Sequence, residues 1–327
     1  MHSTQPFSRR TALLGTLALA GCVAQSALPG PSIMRPAQDR LAFTMRDGAV
    51  LPYRMWKPEG EVRAVMLALH GYNDSRDCWE LPAAVLQAQG IMIYAPDQRG
   101  FGAAPGRNLW AGTKAMSDDA ADIAALLRAR HPGMRLVLMG ESMGGAVLLC
   151  AATMRTIDAD GYVLSSPAVW GRARMNYAMQ AGLWLASTLL PGLHVGRGPI
   201  KIRPSDNNEA LLALARNPLT IIGTRFDTLR GLVDLMDAAL DAAPRFTAAG
   251  LFLYGGHDEL VPKAANALLW RCLPPSALRA YYPDGYHLLT RDLHRAVVIS
   301  DIAAYTLDGT RPQVAETRAA AWLATQA

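Results

Sequence analysis

The chain is poor in cysteine, with four in 327 residues. That is too few for a fold stapled by disulfides. Charge is also sparse, at 18% against 51% hydrophobic residues. This excludes disorder, which couples low hydrophobicity to high charge. Lysines are few and the arginines are scattered singly, so the net charge of +5 carries no basic cluster of the kind that grips nucleic acid. The cysteines and histidines show no zinc-ligand spacing, and neither a metal nor an organic cofactor is expected. No apolar run approaches the roughly 20 residues that a membrane-spanning helix needs. What remains is a chain long enough for a large core. At roughly 150 residues per domain its length allows two domains, or one enzyme domain with an insertion.

Residues 1–21 form a block of their own. They carry Arg9 and Arg10, no acid, and an apolar run from Ala12 to Ala20. A charged start, a short apolar middle and a small-residue end read as an export signal. Leu19-Ala20-Gly21-Cys22 resembles a bacterial lipoprotein signal, which implies a lipid on Cys22. Ser8-Arg9-Arg10-Thr11-Ala12-Leu13-Leu14 resembles a twin-arginine signal, with Ala12 where an aromatic is common. The two arginines also fit an ordinary basic leader. Residues 22–39, with Pro29, Pro31 and Pro36, have no apolar periodicity and read as a mobile tether.

From residue 40 to about 310, strand-like runs alternate with helical stretches, the pattern of an α/β fold with a mainly parallel sheet flanked by helices. The strands are expected at Arg63–Leu69, Ile91–Ala95, Arg135–Met139, Gly161–Leu164, Leu251–Tyr254 and Leu278–Tyr282. Helices are expected near 79–89, 116–130, 143–155, 228–242, 263–272 and 290–306. Arg40–Met45 and Val50–Trp56, around Asp47-Gly48, read as an antiparallel edge hairpin. Between about 167 and 226 the alternation stops. Arg172–Leu190 looks like one long apolar helix, followed by a Gly/Pro-rich loop and a short helix near Asn208–Arg216. This stretch is expected to form a helical cap, and residues 311–327 a helical tail.

Gly140-Glu141-Ser142-Met143-Gly144-Gly145 matches G-x-S-x-G between an apolar strand and a helical run. In that context the serine sits on a strained strand-to-helix turn, where helix dipole and free N–H groups favour developing negative charge. A serine hydroxyl needs a base. Of the seven histidines, His287 follows the last strand, the position expected when the order is serine, acid, histidine. Asp258, after Leu251–Tyr254, is the preferred acid, with Glu259 and Asp284 as rivals by type. The oxyanion is expected on the backbone N–H groups of Met143 and Tyr72. His70 is expected to support its loop by hydrogen bonding. Asp97-Gln98-Arg99-Gly100-Phe101-Gly102 holds that loop or touches substrate.

Together, H-G-Y-N-D, A-P-D-Q-R-G-F-G, G-E-S-M-G-G, G-G-H-D-x-x-V-P and G-Y-H resemble the monoacylglycerol lipase and lysophospholipase group of serine α/β-hydrolases over roughly residues 40–308. The resemblance implies Ser142 as nucleophile, Asp258 and His287 as its partners, Tyr72 and Met143 as oxyanion donors, and a helical cap over the site.

The reaction so implied is acyl transfer from an ester to Ser142 and then to water. Met175, Met179, Leu183 and Trp184 offer apolar surface to an acyl chain, or else pack as core. The expected substrate is a small ester or lipid, of monoacylglycerol or lysophospholipid type. The alternatives are a short-chain esterase, a thioesterase or an aminopeptidase on the same residues, or a non-catalytic surface lipoprotein. Cys22 would anchor the protein in the cell envelope, facing periplasm or exterior. Pairing among Cys78, Cys150 and Cys272 is left open.

Overall fold

A computed structural model describes residues 24–196 and 202–326. The expected signal, residues 1–21, and Cys22 lie outside the described residues. In chain order the strands are β1 (Ala37–Gln38), β2 (Ala42–Thr44), β3 (Val50–Trp56), β4 (Ala64–Leu69), β5 (Ile91–Pro96), β6 (Arg135–Glu141), β7 (Gly161–Ser165), β8 (His194–Val195), β9 (Thr224–Arg225), β10 (Gly250–Gly255) and β11 (Leu278–Tyr282). The helices are α1 (Glu80–Ala88), α2 (Thr113–Arg130), α3 (Met143–Met154), α4 (Tyr177–Leu189), α5 (Asn208–Arg216), α6 (Phe226–Ala242), α7 (Lys263–Cys272), α8 (Arg295–Asp308) and α9 (Gln313–Ala324).

The main sheet runs β1-β2-β3-β5-β4-β6-β7-β10-β11. β1, β2 and β3 pair antiparallel, β3 meets β5 antiparallel, and the remaining pairs are parallel. Every residue of β4 and β5 is buried, because helices cover both faces and a two-sided strand reads as a continuous apolar run. The side chains of β4 divide by alternation. Val65, Leu67 and Leu69 join one core, and Ala64, Met66 and Ala68 the other. This sheet carries the carboxyl ends of β4, β6, β10 and β11 to one edge, where the candidate residues lie.

Three expectations are corrected. The stretch after Cys22 is not a free tether where it is described. Gln25 N donates to Asp227 Oδ2 at 3.1 Å, Ala27 N to the Trp110 carbonyl at 2.9 Å, and Ile33 N to the Arg46 carbonyl at 2.8 Å. It docks through its backbone, which hydrophobic periodicity does not register. The long apolar helix over Arg172–Leu190 is broken. A short 3₁₀ turn (Arg172–Arg174) precedes α4, whose start is set by Asn176, the side chain of which accepts from Met179 N at 2.9 Å. The helix expected at 290–306 begins only at Arg295, because residues 286–294 are held as a loop by the returning cap. At the C-terminus α9 is helical but packed rather than trailing. Trp322 stacks on Tyr281 with ring centroids 5.1 Å apart and meets Trp270 edge-on at 5.2 Å.

The cap lies between β7 and α6. It contains α4, α5 and the two-residue antiparallel pair β8–β9, a small ladder that the sequence pattern did not predict. Cys78, Cys150 and Cys272 carry free thiols. Burial pushes the Cys150 thiol up to about 12, so it is protonated near neutrality and chemically quiet.

Candidate active site

The turn that carries Ser142 is built by its glycines. A Cβ at Gly140 would lie 2.4 Å from the Gly144 carbonyl carbon, and one at Gly144 would lie 2.3 Å from the Leu69 carbonyl oxygen. Any side chain at either position would push α3 off β6 or off β4. With both glycines present the chain reverses within one residue, and Ser142 takes φ 53°, ψ −112°. That strain is stored where a side chain must be presented, as at other functional sites. Ser142 N donates to the Ser165 carbonyl at 2.9 Å, which ties the turn to β7. Met143 is the first residue of α3, so its N–H has no acceptor within the helix.

The loops after β10 and β11 are brought together in the same way. A Cβ at Gly255 would lie 2.4 Å from the Tyr286 carbonyl oxygen, and one at Gly256 would lie 2.3 Å from that of Pro283. His257 N donates to the Gly285 carbonyl at 2.8 Å. This contact places His287 Nδ1 2.8 Å from Asp258 Oδ2, with both residues buried. The other carboxylate oxygen of Asp258 accepts from Leu260 N at 2.8 Å and Val261 N at 2.9 Å, which fixes its orientation. Burial alone would lower the His287 pKa, but the Asp258 charge and hydrogen bond outweigh it and hold the ring above its ordinary value. The two rivals are placed elsewhere. Glu259 accepts from Arg203 N at 2.7 Å, and Asp284 sits exposed in a turn.

The loop after β4 passes directly over the serine. A Cβ at Gly71 would come 3.5 Å from Ser142 Cβ, and Tyr72 follows in a turn. His70 is fully buried. Its Nδ1–H donates to the Gly71 carbonyl at 2.8 Å, while Nε2 accepts from Gln98 N at 3.0 Å. The polar run after β5 is likewise engaged in holding loops. Asp97 accepts from Arg76 N and Ala103 N, both at 2.7 Å, and Arg99 pairs with Asp47 and Asp119.

Gly71, Tyr72, Ser142 and His287 line a cavity of about 320 Å³. Its apolar walls come from Leu214 of α5, Leu232 and Met236 of α6, and Leu260, Val261 and Leu288 of the neighbouring loops. None of Met175, Met179, Leu183 and Trp184 is among its lining residues. Met179 and Trp184 are exposed, 43% and 59%, and the buried residue of α4 is Ser187. The cavity's walls therefore come from other residues than these four, and none of the four belongs to the buried core. An uncharged helix looks equally apolar on every face, so composition could not say which face it turns inward. The recoverable signal lay in α6, where Leu229, Leu232, Val233 and Met236 recur at helical spacing.

Sequence reasoning also passed over Arg291. It is buried, and its guanidinium donates to Asp74 Oδ2 at 2.8 Å and to Glu141 Oε1.

The family model for "Serine aminopeptidase, S33" matches residues 60–294. Among curated proteins, the chain is 24% identical over 277 residues to a monoacylglycerol lipase of Mycolicibacterium smegmatis, spanning 81% of this chain and 95% of that protein. It is 26% identical over 263 residues to the human monoglyceride lipase, spanning 79% and 86%. Among solved structures, a monoacylglycerol lipase of Paleococcus ferrophilus superposes with a TM-score of 0.68 at 22% identity, over 80% of this chain and 99% of that one. A soluble variant of the Saccharomyces cerevisiae monoglyceride lipase gives 0.65 at 20% identity, over 86% and 98%. These superpositions establish the α/β-hydrolase fold.

Proposed function

Since the chain belongs to the serine aminopeptidase S33 family, we propose that it is a serine carboxylester hydrolase acting on monoacylglycerol or lysophospholipid-type esters. Ser142 attacks the ester carbonyl as His287 takes its proton, and Asp258 holds the imidazolium that forms. The Tyr72 and Met143 N–H groups receive the oxyanion. The alcohol leaves with the proton from His287, and water repeats the sequence to release the acid.

The observation that carries the lipid reading is the apolar wall of Leu214, Leu232, Met236 and Leu260 around Ser142. The names of the monoacylglycerol lipase relatives support it. An aminopeptidase would want a free carboxylate to hold the substrate's ammonium. The two carboxylates lining this cavity, Asp74 and Glu141, are both paired with Arg291. The test is a panel of acylglycerols, lysophospholipids, p-nitrophenyl esters of rising chain length and an aminoacyl amide. Met236→Trp, which fills the cavity, is expected to lower kcat/KM for long acyl chains about 10-fold or more while sparing the acetyl ester. An unchanged chain-length profile, or a preference for the amide, would defeat the lipid reading.

The same proposal places the protein on a membrane through an acyl group on Cys22. No described helix is long and apolar enough to cross a bilayer. Support comes from the leader sequence and from the cap. Residues 161–205 contain five basic residues and no acid. In the cap, α4 is uncharged and exposes Tyr177 and Trp184. Gln25, three residues after Cys22, is bonded to Asp227 at the start of α6, and Asp227 N in turn donates to the Pro191 carbonyl just beyond α4, at 3.1 Å. Cys22→Ser is expected to abolish palmitate labelling and move the protein out of the membrane fraction. A Cys22→Ser protein that stays in that fraction would overturn the anchor.

A further inference from the structure

We infer that Arg291 is a positioning residue that locks the oxyanion loop and the nucleophile turn onto the loop carrying His287. The inference rests on the ester-hydrolase reading of the site. Arg291 lies four residues beyond His287 and is 5% exposed. One arm of its guanidinium donates to Asp74 Oδ2 at 2.8 Å, and the other donates to Glu141 Oε1. Asp74 is two residues beyond Tyr72, and its second oxygen accepts from Ser75 N at 2.8 Å. Glu141 is the residue immediately before Ser142 and is 1% exposed. One planar fork therefore ties together the three segments that supply the oxyanion donor, the nucleophile and the base.

The chemistry of the fork explains why arginine stands here. Two buried carboxylates on separate segments repel each other, and a cation between them offsets that repulsion. A guanidinium presents donors in two fixed directions and stays charged when buried. Burial opposes its charge, and Glu141 and Asp74 more than restore it. A lysine offers one point charge on a flexible stem and cannot hold both carboxylates in one plane. The cap reinforces the same loop from outside. Asn207 Nδ2 donates to the Arg291 carbonyl at 2.9 Å, and Ser205 Oγ donates to Asp292 Oδ1 at 2.6 Å.

The fork also acts on the base, after burial and Asp258. His287 faces Asp258 from the β10 loop, Glu141 from the end of β6, and Arg291 from its own loop. Arg291 faces Asp74, Glu141 and the Cys78 thiol. Glu141 favours the imidazolium and Arg291 opposes it.

The experiment uses the full chain, with kcat expressed per serine labelled by a fluorophosphonate probe, so that misfolded protein drops out. Arg291→Lys is expected to lower kcat about 100-fold, the cost of a misplacement near 1 Å, with KM little changed. Glu141→Gln keeps an acceptor for the fork and removes the charge. It is expected to shift the acid limb of the kcat/KM profile to lower pH. A residue that merely supported the fold would lower the melting temperature and the labelled fraction without moving kcat per labelled serine or the pH limb. That result would overturn the inference, as would wild-type kinetics in Arg291→Lys. A wild-type protein that is neither labelled nor active on esters would instead defeat the ester-hydrolase reading itself.

Discussion

Ser142→Ala is expected to lower kcat on an ester substrate by about a million-fold, the scale seen when such a nucleophile is removed. Alanine keeps the Cβ and meets the same backbone strain at φ 53°, so the melting temperature should hold and the loss is chemical. Covalent labelling by a fluorophosphonate should vanish with it. The residual rate should stay above the uncatalysed one, because the Tyr72 and Met143 N–H groups and the cavity are untouched. The pH dependence has a defined sign. In the proposed mechanism His287 must be neutral to accept the serine proton, and its pKa lies above the ordinary value. Activity should therefore fall as pH drops through a value above the 6.5 usual for histidine. Asp258→Asn removes the charge that raises that pKa, so it should move the acid limb down and cost about 10⁴ in kcat. Hydrolysis by Ser142→Ala at anything near the wild-type rate would end the nucleophile assignment.

Gly255→Ala is also expected to be damaging, although residue 255 touches no substrate. Its new Cβ would lie 2.4 Å from the Tyr286 carbonyl oxygen and 2.5 Å from that of Gly285. Both obstacles are backbone, so a rotamer change cannot relieve the clash and the β11 loop must retreat. Overpacking of this kind costs about 1–3 kcal/mol. At about 2–4 °C per kcal/mol for a large domain, the melting temperature should fall measurably. The retreat also carries His287 away from Asp258, and a shift near 1 Å is worth about 100-fold in kcat. Gly60→Ala is the control, because a Cβ there meets nothing within 4 Å. Wild-type activity and melting in Gly255→Ala would show that the two loops do not need this close approach.

These two substitutions mark different kinds of legibility. The turn at Ser142 can be read from residues 135–150 alone, because strand, glycines, serine and helix are consecutive. The same holds for elements whose boundaries agree to the residue, such as β11 at Leu278–Tyr282 and α7 at Lys263–Cys272. Each is specified by a local apolar pattern and its own end signals. The order serine, aspartate, histidine, each just past a strand, follows from the same local reading. The structure adds the 2.8 Å contact between Asp258 and His287 and the cavity that Ser142 and His287 share.

Other features depend on partners far away in the chain. Residues 24–38 show no periodicity, yet they dock by donating to carbonyls and carboxylates of the folded body. The uncharged helix α4 reads as core or acyl wall, yet the cavity's apolar walls come from α5 and α6. Arg291 stands in no motif, and its partners are 217 and 150 residues distant.

By itself, then, the sequence determined the layered α/β architecture and the order of the three candidate residues at the sheet's carboxyl edge. Both arise from patterns a few residues long, where propensity and sterics act between neighbours. Only the tertiary structure decided which cap surface lines the cavity, where the N-terminal segment lies, and that one buried guanidinium joins three loops. Those outcomes are set by which distant carboxylates and carbonyls a donor meets once the sheet has closed, and no local pattern encodes that encounter.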